Sequence, residues 1–172
     1  MFKFSPSAKL ARTACAAMLL VAYTGKEARC QQDAERGAKA LANWLECDYC
    51  TQNELAIVKS YGEAIVPGIV AVLNEGPSTA KHADLGKALA ERYDQLVEQS
   101  KKNQNAPVAV TKEKFVELYW VAFDVRHRVR AAQALAAIGE GRARAALEAT
   151  ASKADREDVR AAAREALRTL AR

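Results

Sequence analysis

The sequence predicts an all-α protein. Three observations lead to that class. Half of the 172 residues are apolar and only 6% are aromatic. Long Ala/Leu/Glu/Arg runs favour helix, because those side chains lose little rotamer freedom there. Apolar residues recur at spacings of three and four between caps and breakers, and the period-two alternation of half-buried strands is scarce.

The first thirty residues read as a leader. Lys3, Lys9 and Arg12 form a basic start, and Ala14 to Tyr23 is an uninterrupted apolar run of ten residues. That length suits the core of a signal peptide and falls short of the ~20 residues needed to span a bilayer. Ala28 and Cys30 fit the small-residue positions of a cleavage site, which makes Gln31 the expected mature start. A buried first helix and cleavage after Ala22 are the alternatives. The expected division is a signal peptide over 1–30 and one folded domain over 31–172, periplasmic or secreted. The leader holds five basic side chains against Glu27, so it carries +4 of the total +5. The mature chain is nearly neutral, and its composition gives little reason to expect nucleic acid. Residues 31–123 hold 10 basic and 13 acidic side chains, and residues 124–172 hold 11 and 7. A mildly acidic front therefore precedes a mildly basic end.

The elements follow in order. Gln31 to Cys47 is helical, capped by Asp33, with Ala38, Leu41, Trp44 and Leu45 on one stripe. Thr51 and Glu54 form a capping box for the next helix, whose Leu55, Val58 and Tyr61 face inward until Gly62 breaks it. A short helix carries Ile65, Val66, Ile69, Val70 and Leu73, with Pro67 in its first turn. Gly76-Pro77 stops it. Thr79 to Lys102 is one long helix with Leu85, Leu89, Tyr93, Leu96 and Val97 on a face. A polar loop over Lys101 to Ala106 follows. Thr111 caps a helix that turns Phe115, Leu118, Tyr119 and Phe123 inward. Asp124 is expected to open a new helix through Val125, Val129, Ala132, Leu135 and Ile138, ended by Gly139 and Gly141. Arg142–Ser152 and Asp155–Leu170 are the last two. Each helix pair has an apolar stripe it cannot bury alone, and stacking of pairs is the physical basis of a solenoid.

Val129-Arg130-Ala131-Ala132 recurs thirty residues later as Val159-Arg160-Ala161-Ala162. With Asp124-Val125-Arg126, Ala134-Leu135 and Ile138-Gly139, these residues resemble a HEAT repeat in its short bacterial form. Gly62 to Pro67 and Leu73 are similar to the turn and second helix of another. The resemblance covers roughly 124–170 and, less closely, 51–77; it fails over 79–123. It implies a right-handed α-solenoid of about three HEAT-like helical hairpins plus a terminal helix. It also implies a scaffold or regulatory module that binds a protein partner. HEAT-like lyases and DNA glycosylases exist, so the resemblance leaves two other readings open. One is an enzyme, a lyase or a thiol oxidoreductase. The other is a cytosolic nucleic-acid binder that keeps residues 1–30.

Cysteine arithmetic agrees with a leader. Cleavage after Cys30 leaves Cys47 and Cys50, and an even pair in an oxidising compartment is usually a disulfide. A redox pair and half a zinc site compete with that reading. Against the redox pair, Cys47 lies near a helix C-terminus, whose negative end disfavours thiolate. Against the zinc site, no second CxxC or nearby His completes the ligands. His82 and His127 are the only histidines, and no Ser/His/Asp or HExxH arrangement accompanies them. No cofactor, metal or catalytic residue is expected. Arg156, Arg160, Arg164, Arg168 and Arg172 recur every four residues, a row that drifts by ~40° per step. Either they form a solvated face paired with Glu157 and Glu165, or they form a patch for an acidic partner. The candidate partner contacts are Tyr49, Trp120, Arg126, Arg128, Arg160, Arg164 and Arg168, because aromatic and Arg residues anchor most interfaces. For Trp120 the alternative is a core position.

Overall fold

The computed structural model describes residues 31–47, 49–103, 107–139 and 141–171. The expected leader over 1–30, and its cleavage site, lie outside the described residues. Within them the chain is all-α, and no strand occurs.

Helix α1 occupies residues 31–46. Leu41, Trp44 and Leu45 are buried, whereas Ala38 is exposed and Gly37 takes the inward place. A Cβ at Gly37 would overlap the Ile65 side chain, so only glycine lets α1 come this close. Asp33 lies inside the helix rather than at its cap. Helix α2, Gln52–Ser60, starts with the expected capping box: Thr51 Oγ1 accepts from Asn53 N, and Glu54 Oε2 accepts from Thr51 N at 2.8 Å. Gly62, at φ 52°, turns the chain through a 3-10 segment, Gly62–Ile65, into α3, Val66–Glu75. Gly76, at φ 77°, ends α3.

Helix α4, Thr79–Lys102, is capped by Ser78 and buries no residue fully. The expected polar loop begins later than the sequence suggests, because Lys101 and Lys102 still belong to α4; 104–106 lie outside the described residues. Helix α5, Lys112–Ile138, is one continuous rod of 27 residues. The expected helix start at Asp124 is therefore corrected. No Gly or Pro interrupts Ala122-Phe123-Asp124-Val125, and one Asp at helical spacing from Arg128 does not break a helix. Gly139, at φ 84°, ends it. Helix α6, Gly141–Lys153, and α7, Glu157–Leu170, close the chain. The last helix begins at Glu157, with Arg156 at its N-cap, not at Asp155.

The core joins α1, α2 and α3 to the C-terminal half of α5 and to α6 and α7. Val58, Ile69, Leu73, Leu135, Leu147 and Val159 are fully buried, and alanines at 131, 132, 134, 143 and 163 let the helices approach closely. The N-terminal half of α5 lies beyond that core, with α4 packed against one side. Tyr93 meets Phe115 there, and Tyr93 Oη donates to Val110 O at 2.7 Å. Among the described residues, no single helix is long and apolar enough to cross a membrane.

Candidate functional site

The chemistry-bearing residues fall into three groups: the cysteine pair, the arginines, and the arm made by α4 with the first half of α5.

Cys47 and Cys50 sit just after α1, with their sulfurs at disulfide distance and their Cα atoms 5.5 Å apart. Both sulfurs face the Trp44 carbonyl, at 3.2 and 3.5 Å. The C-terminal position relative to α1 is the one the sequence implied. Tyr49, between them, is 94% exposed. Among the described residues, no group of three or more His, Cys, Asp or Glu side chains could hold a metal ion.

The arginines divide by what their side chains reach. Three donate to carbonyls at or just beyond helix C-termini, where backbone acceptors lack helical partners and the helix dipole is negative. Arg130 Nη1 donates to Leu45 O at 2.8 Å and Trp44 O at 3.3 Å, at the end of α1. Trp44 Nε1 returns a bond to Arg130 O at 3.2 Å, and the guanidinium lies over the indole at 5.8 Å. Arg128 Nε donates to Leu73 O at 3.0 Å, near the end of α3, and its Nη1 reaches Asp155 at 3.0 Å. Arg160 Nη1 donates to Ala154 O at 2.5 Å, just past α6. Thus Arg128, only 12% exposed, and Arg160, partly buried, are engaged within the chain. Arg164 and Arg168 are exposed and pair with Glu157 and Glu165, the latter at 2.6 Å. Of the seven expected contact residues, Tyr49 lies between the cysteines, Trp120 and Arg126 lie on α5, and Arg128, Arg160, Arg164 and Arg168 make the contacts just described. The role of Arg130 was not read from the sequence, where it appeared only within a repeated tetrapeptide.

Two titrating groups lie beside these arginines. Burial raises the Asp124 carboxyl above its ordinary value, and the Arg128 cation opposes the shift. Burial lowers the His127 imidazole, whose Nδ1 lies 2.9 Å from Phe123 O and whose ring packs 4.0 Å from that of Phe123.

The arm exposes apolar surface. Leu118 and Tyr119, expected to face inward, are 51% and 54% exposed. Helical spacing groups them with Phe115 and Phe123 on one apolar face. One helix, α4, covers only one side of α5, and Leu118 and Tyr119 fall beyond that cover. Trp120 is half-buried, with its ring edge-on to His82 at 3.9 Å. It lines a groove of about 550 Å³ with Gly86, Ala90 and Val116, between α4 and α5. A second groove, of about 510 Å³, lies along α5 against the start of α7. Its floor is Leu118, Val121, Ala122, Val125 and Val129. Arg126, whose guanidinium lies 5.5 Å from the centre of the Phe123 ring, lines it as well. The stripe was legible at spacings of three and four, but an expected break at Asp124 cut it in two.

Comparison of the chain with protein-family models, with curated proteins and with solved structures gives no match.

Proposed function

We propose that the protein is an exported, non-catalytic helical scaffold that binds another protein through one face. One observation carries this reading. The α4–α5 arm holds two adjacent large apolar side chains, Leu118 and Tyr119, more than half exposed to solvent. Contiguous exposed apolar side chains mark surfaces that meet a protein, a membrane or a ligand. We further propose that the domain over 31–172 is a short right-handed solenoid of HEAT-like hairpins. The order in which α5, α6 and α7 pack is in keeping with that arrangement. So is the shared behaviour of the repeated arginines, since Arg130 and Arg160 both donate to helix-terminal carbonyls. The repeats differ in burial: Ala131 and Ala132 are fully inside, whereas Ala161 is exposed.

Export is part of the proposal, motivated by the basic and apolar start of the chain and by the cysteine pair. The intact mass of protein from the envelope fraction tests it. Export predicts a product beginning at Gln31 and two hydrogens lighter than its reduced form. A product beginning at Met1 overturns it. For the binding role, a photo-crosslinking residue is placed in turn at Leu118, Trp120 and Tyr49 in cells. A discrete crosslinked protein at one or more of these positions is expected. Absence of any crosslink, together with substrate turnover by the purified protein, refutes the reading.

A further inference from the structure

We propose that the cleft between α1 and α2 is a binding site for a small organic monocarboxylate with a hydrocarbon body. The cleft is separate from the α4–α5 arm, so the site stands or falls independently of the protein-binding role proposed above.

Two helix faces make the cleft. On α1, Arg36, Lys39, Ala40 and Asn43 fall at the i, i+3, i+4 and i+7 positions of one face. On α2, Glu54 and Ile57, with Tyr61 at the C-cap, fall at i, i+3 and i+7. Gly37 lets α1 come down onto Tyr61, since a Cβ there would overlap Ile65 and lie 3.2 Å from the Tyr61 ring. The space between the faces is about 260 Å³. That is just below the range of drug-sized pockets and suits a ligand of about ten non-hydrogen atoms. Ala40, Ile57 and the Tyr61 ring give it an apolar wall. Ile57 is 53% exposed, so the wall is open to whatever enters.

The polar groups of the lining are donors without partners. The Arg36 guanidinium, the Lys39 ammonium, the Asn43 amide and the Tyr61 hydroxyl make no hydrogen bond or ion pair with any described residue. Asp33 and Glu35 stand one turn before the two cations on α1, but neither pairs with them and neither lines the cleft. Glu54, the one carboxylate of the lining, is already engaged. Its Oε2 accepts from Thr51 N at 2.8 Å and from Thr51 Oγ1. The Thr51 hydroxyl and the backbone bonds hold its carboxyl below the ordinary value, so it stays ionised. Two cations against one carboxylate leave an excess of one positive charge. A single negative charge balances that excess, whereas a dianion would overshoot it beside Glu54. One donor of this kind on a surface is simply hydrated. Four of them around an open isoleucine differ, because a ligand that covers Ile57 with hydrocarbon can set its carboxylate against Arg36 and Lys39. Charged donors bond an anion about twice as strongly as a neutral acceptor. A neutral or cationic ligand would leave the two cations unmatched.

The probe is octanoate, with octanamide, octylamine and octyl phosphate as comparators. Each is titrated into the purified protein and followed by NMR at the Ile57 methyl groups. Octanoate should saturate with a Kd of about 1 mM or tighter, the scale open to a ligand of its size. Its binding should weaken as salt rises. Octanamide and octylamine should bind at least tenfold more weakly. The double variant Arg36→Gln/Lys39→Gln should weaken octanoate at least tenfold and bring it level with octanamide. Ile57→Asp should abolish binding. Arg36 and Lys39 are exposed, so the double variant keeps its circular dichroism and decides the matter even if Ile57→Asp unfolds. Lys59→Gln, at an exposed α2 cation outside the cleft, should change nothing. No saturation by ~10 mM octanoate overturns the proposal. Equal binding of octanoate and octylamine, or indifference to the double variant, also overturns it. Octyl phosphate binding tenfold more tightly than octanoate overturns the single-charge assignment. An acetylated peptide ending in a leucine carboxylate that shifts Ile57 where octanoate does not would assign the cleft to a protein terminus and overturn it as well. Crosslinking at Leu118, Trp120 or Tyr49 tests the protein-binding role separately from all of these results.

Discussion

Arg128→Ala is the substitution that most sharply tests how the helices are tied together. Arg128 is 12% exposed, and its Nε bonds the Leu73 carbonyl at 3.0 Å. That carbonyl is near the end of α3, where no further turn of helix supplies a donor. Loss of a charged donor to a partly buried acceptor costs about 1.5–3 kcal/mol. The pair with exposed Asp155 adds at most ~1 kcal/mol, because solvent screens it. Asp124 also loses the cation that opposes its desolvation. The sum is a loss of about 2–4 kcal/mol. At about 2–4 °C per kcal/mol for a chain of this length, Tm falls by about 4–16 °C. Urea unfolding followed by circular dichroism measures the loss, with Arg164→Ala as the control. Arg164 is exposed and bonds Glu157, itself an exposed side chain, so its loss should stay within ~0.5 kcal/mol. Most of the Arg128→Ala deficit should persist in an Asp155→Ala background, and Arg128→Lys should not restore it, since an ammonium lacks the guanidinium fork. The deficit should shrink in acid, because a protonated Asp124 needs no cation. An Arg128→Ala protein as stable as Arg164→Ala would refute the assignment of this arginine as a helix-end clamp.

Three further outcomes follow from particular residues. His127 is buried and its imidazole is held below the ordinary value of 6.5. Its contribution is present above that pH and is lost as pH falls through the lowered folded value, because the unfolded chain binds the proton first. Urea midpoints should therefore begin to fall near pH 6.5, ahead of carboxylate titration, and His127→Gln should flatten that segment; a curve flat to pH 5 contradicts it. Gly76→Ala should be far more damaging than Gly139→Ala. Both have positive φ, but a Cβ at Gly76 would overlap the Asp124 carboxylate, whereas at Gly139 it meets nothing. Strain alone at Gly139 should cost ~1 kcal/mol, and equal losses at the two sites would contradict the packing there. Leu147→Ala removes a fully buried side chain and should cost about 2–5 kcal/mol, against under ~1 kcal/mol for the exposed Leu118→Ala; comparable losses in urea titrations would mean that the arm is covered within the chain.

The helical class and most element ends were legible because they depend on local chemistry. The Thr51–Glu54 box, the Pro67 entry, the Gly76 stop and the Thr79–Lys102 span each follow from residues close in sequence. Asp124 misled because an Asp that caps one helix is chemically the same as an Asp that pairs with Arg128 four residues on. Local spacing cannot tell them apart when no breaker stands nearby. The Arg156–Arg172 row was read with its solvated alternative, and the pairs with Glu157 and Glu165 are where that alternative placed them.

By itself, then, the sequence determined that the chain is helical, where most of its turns fall, and that Cys47 and Cys50 lie together after α1. Those outcomes depend on backbone preferences and on spacings of a few residues. Only the tertiary structure decided which arginines cap which helices and which side of α5 stays open. Arg130 finds α1, and Arg128 finds α3, across separations of 55 to 86 residues. No local period records such contacts, because burial is set by the neighbour that arrives rather than by the stripe that waits for it.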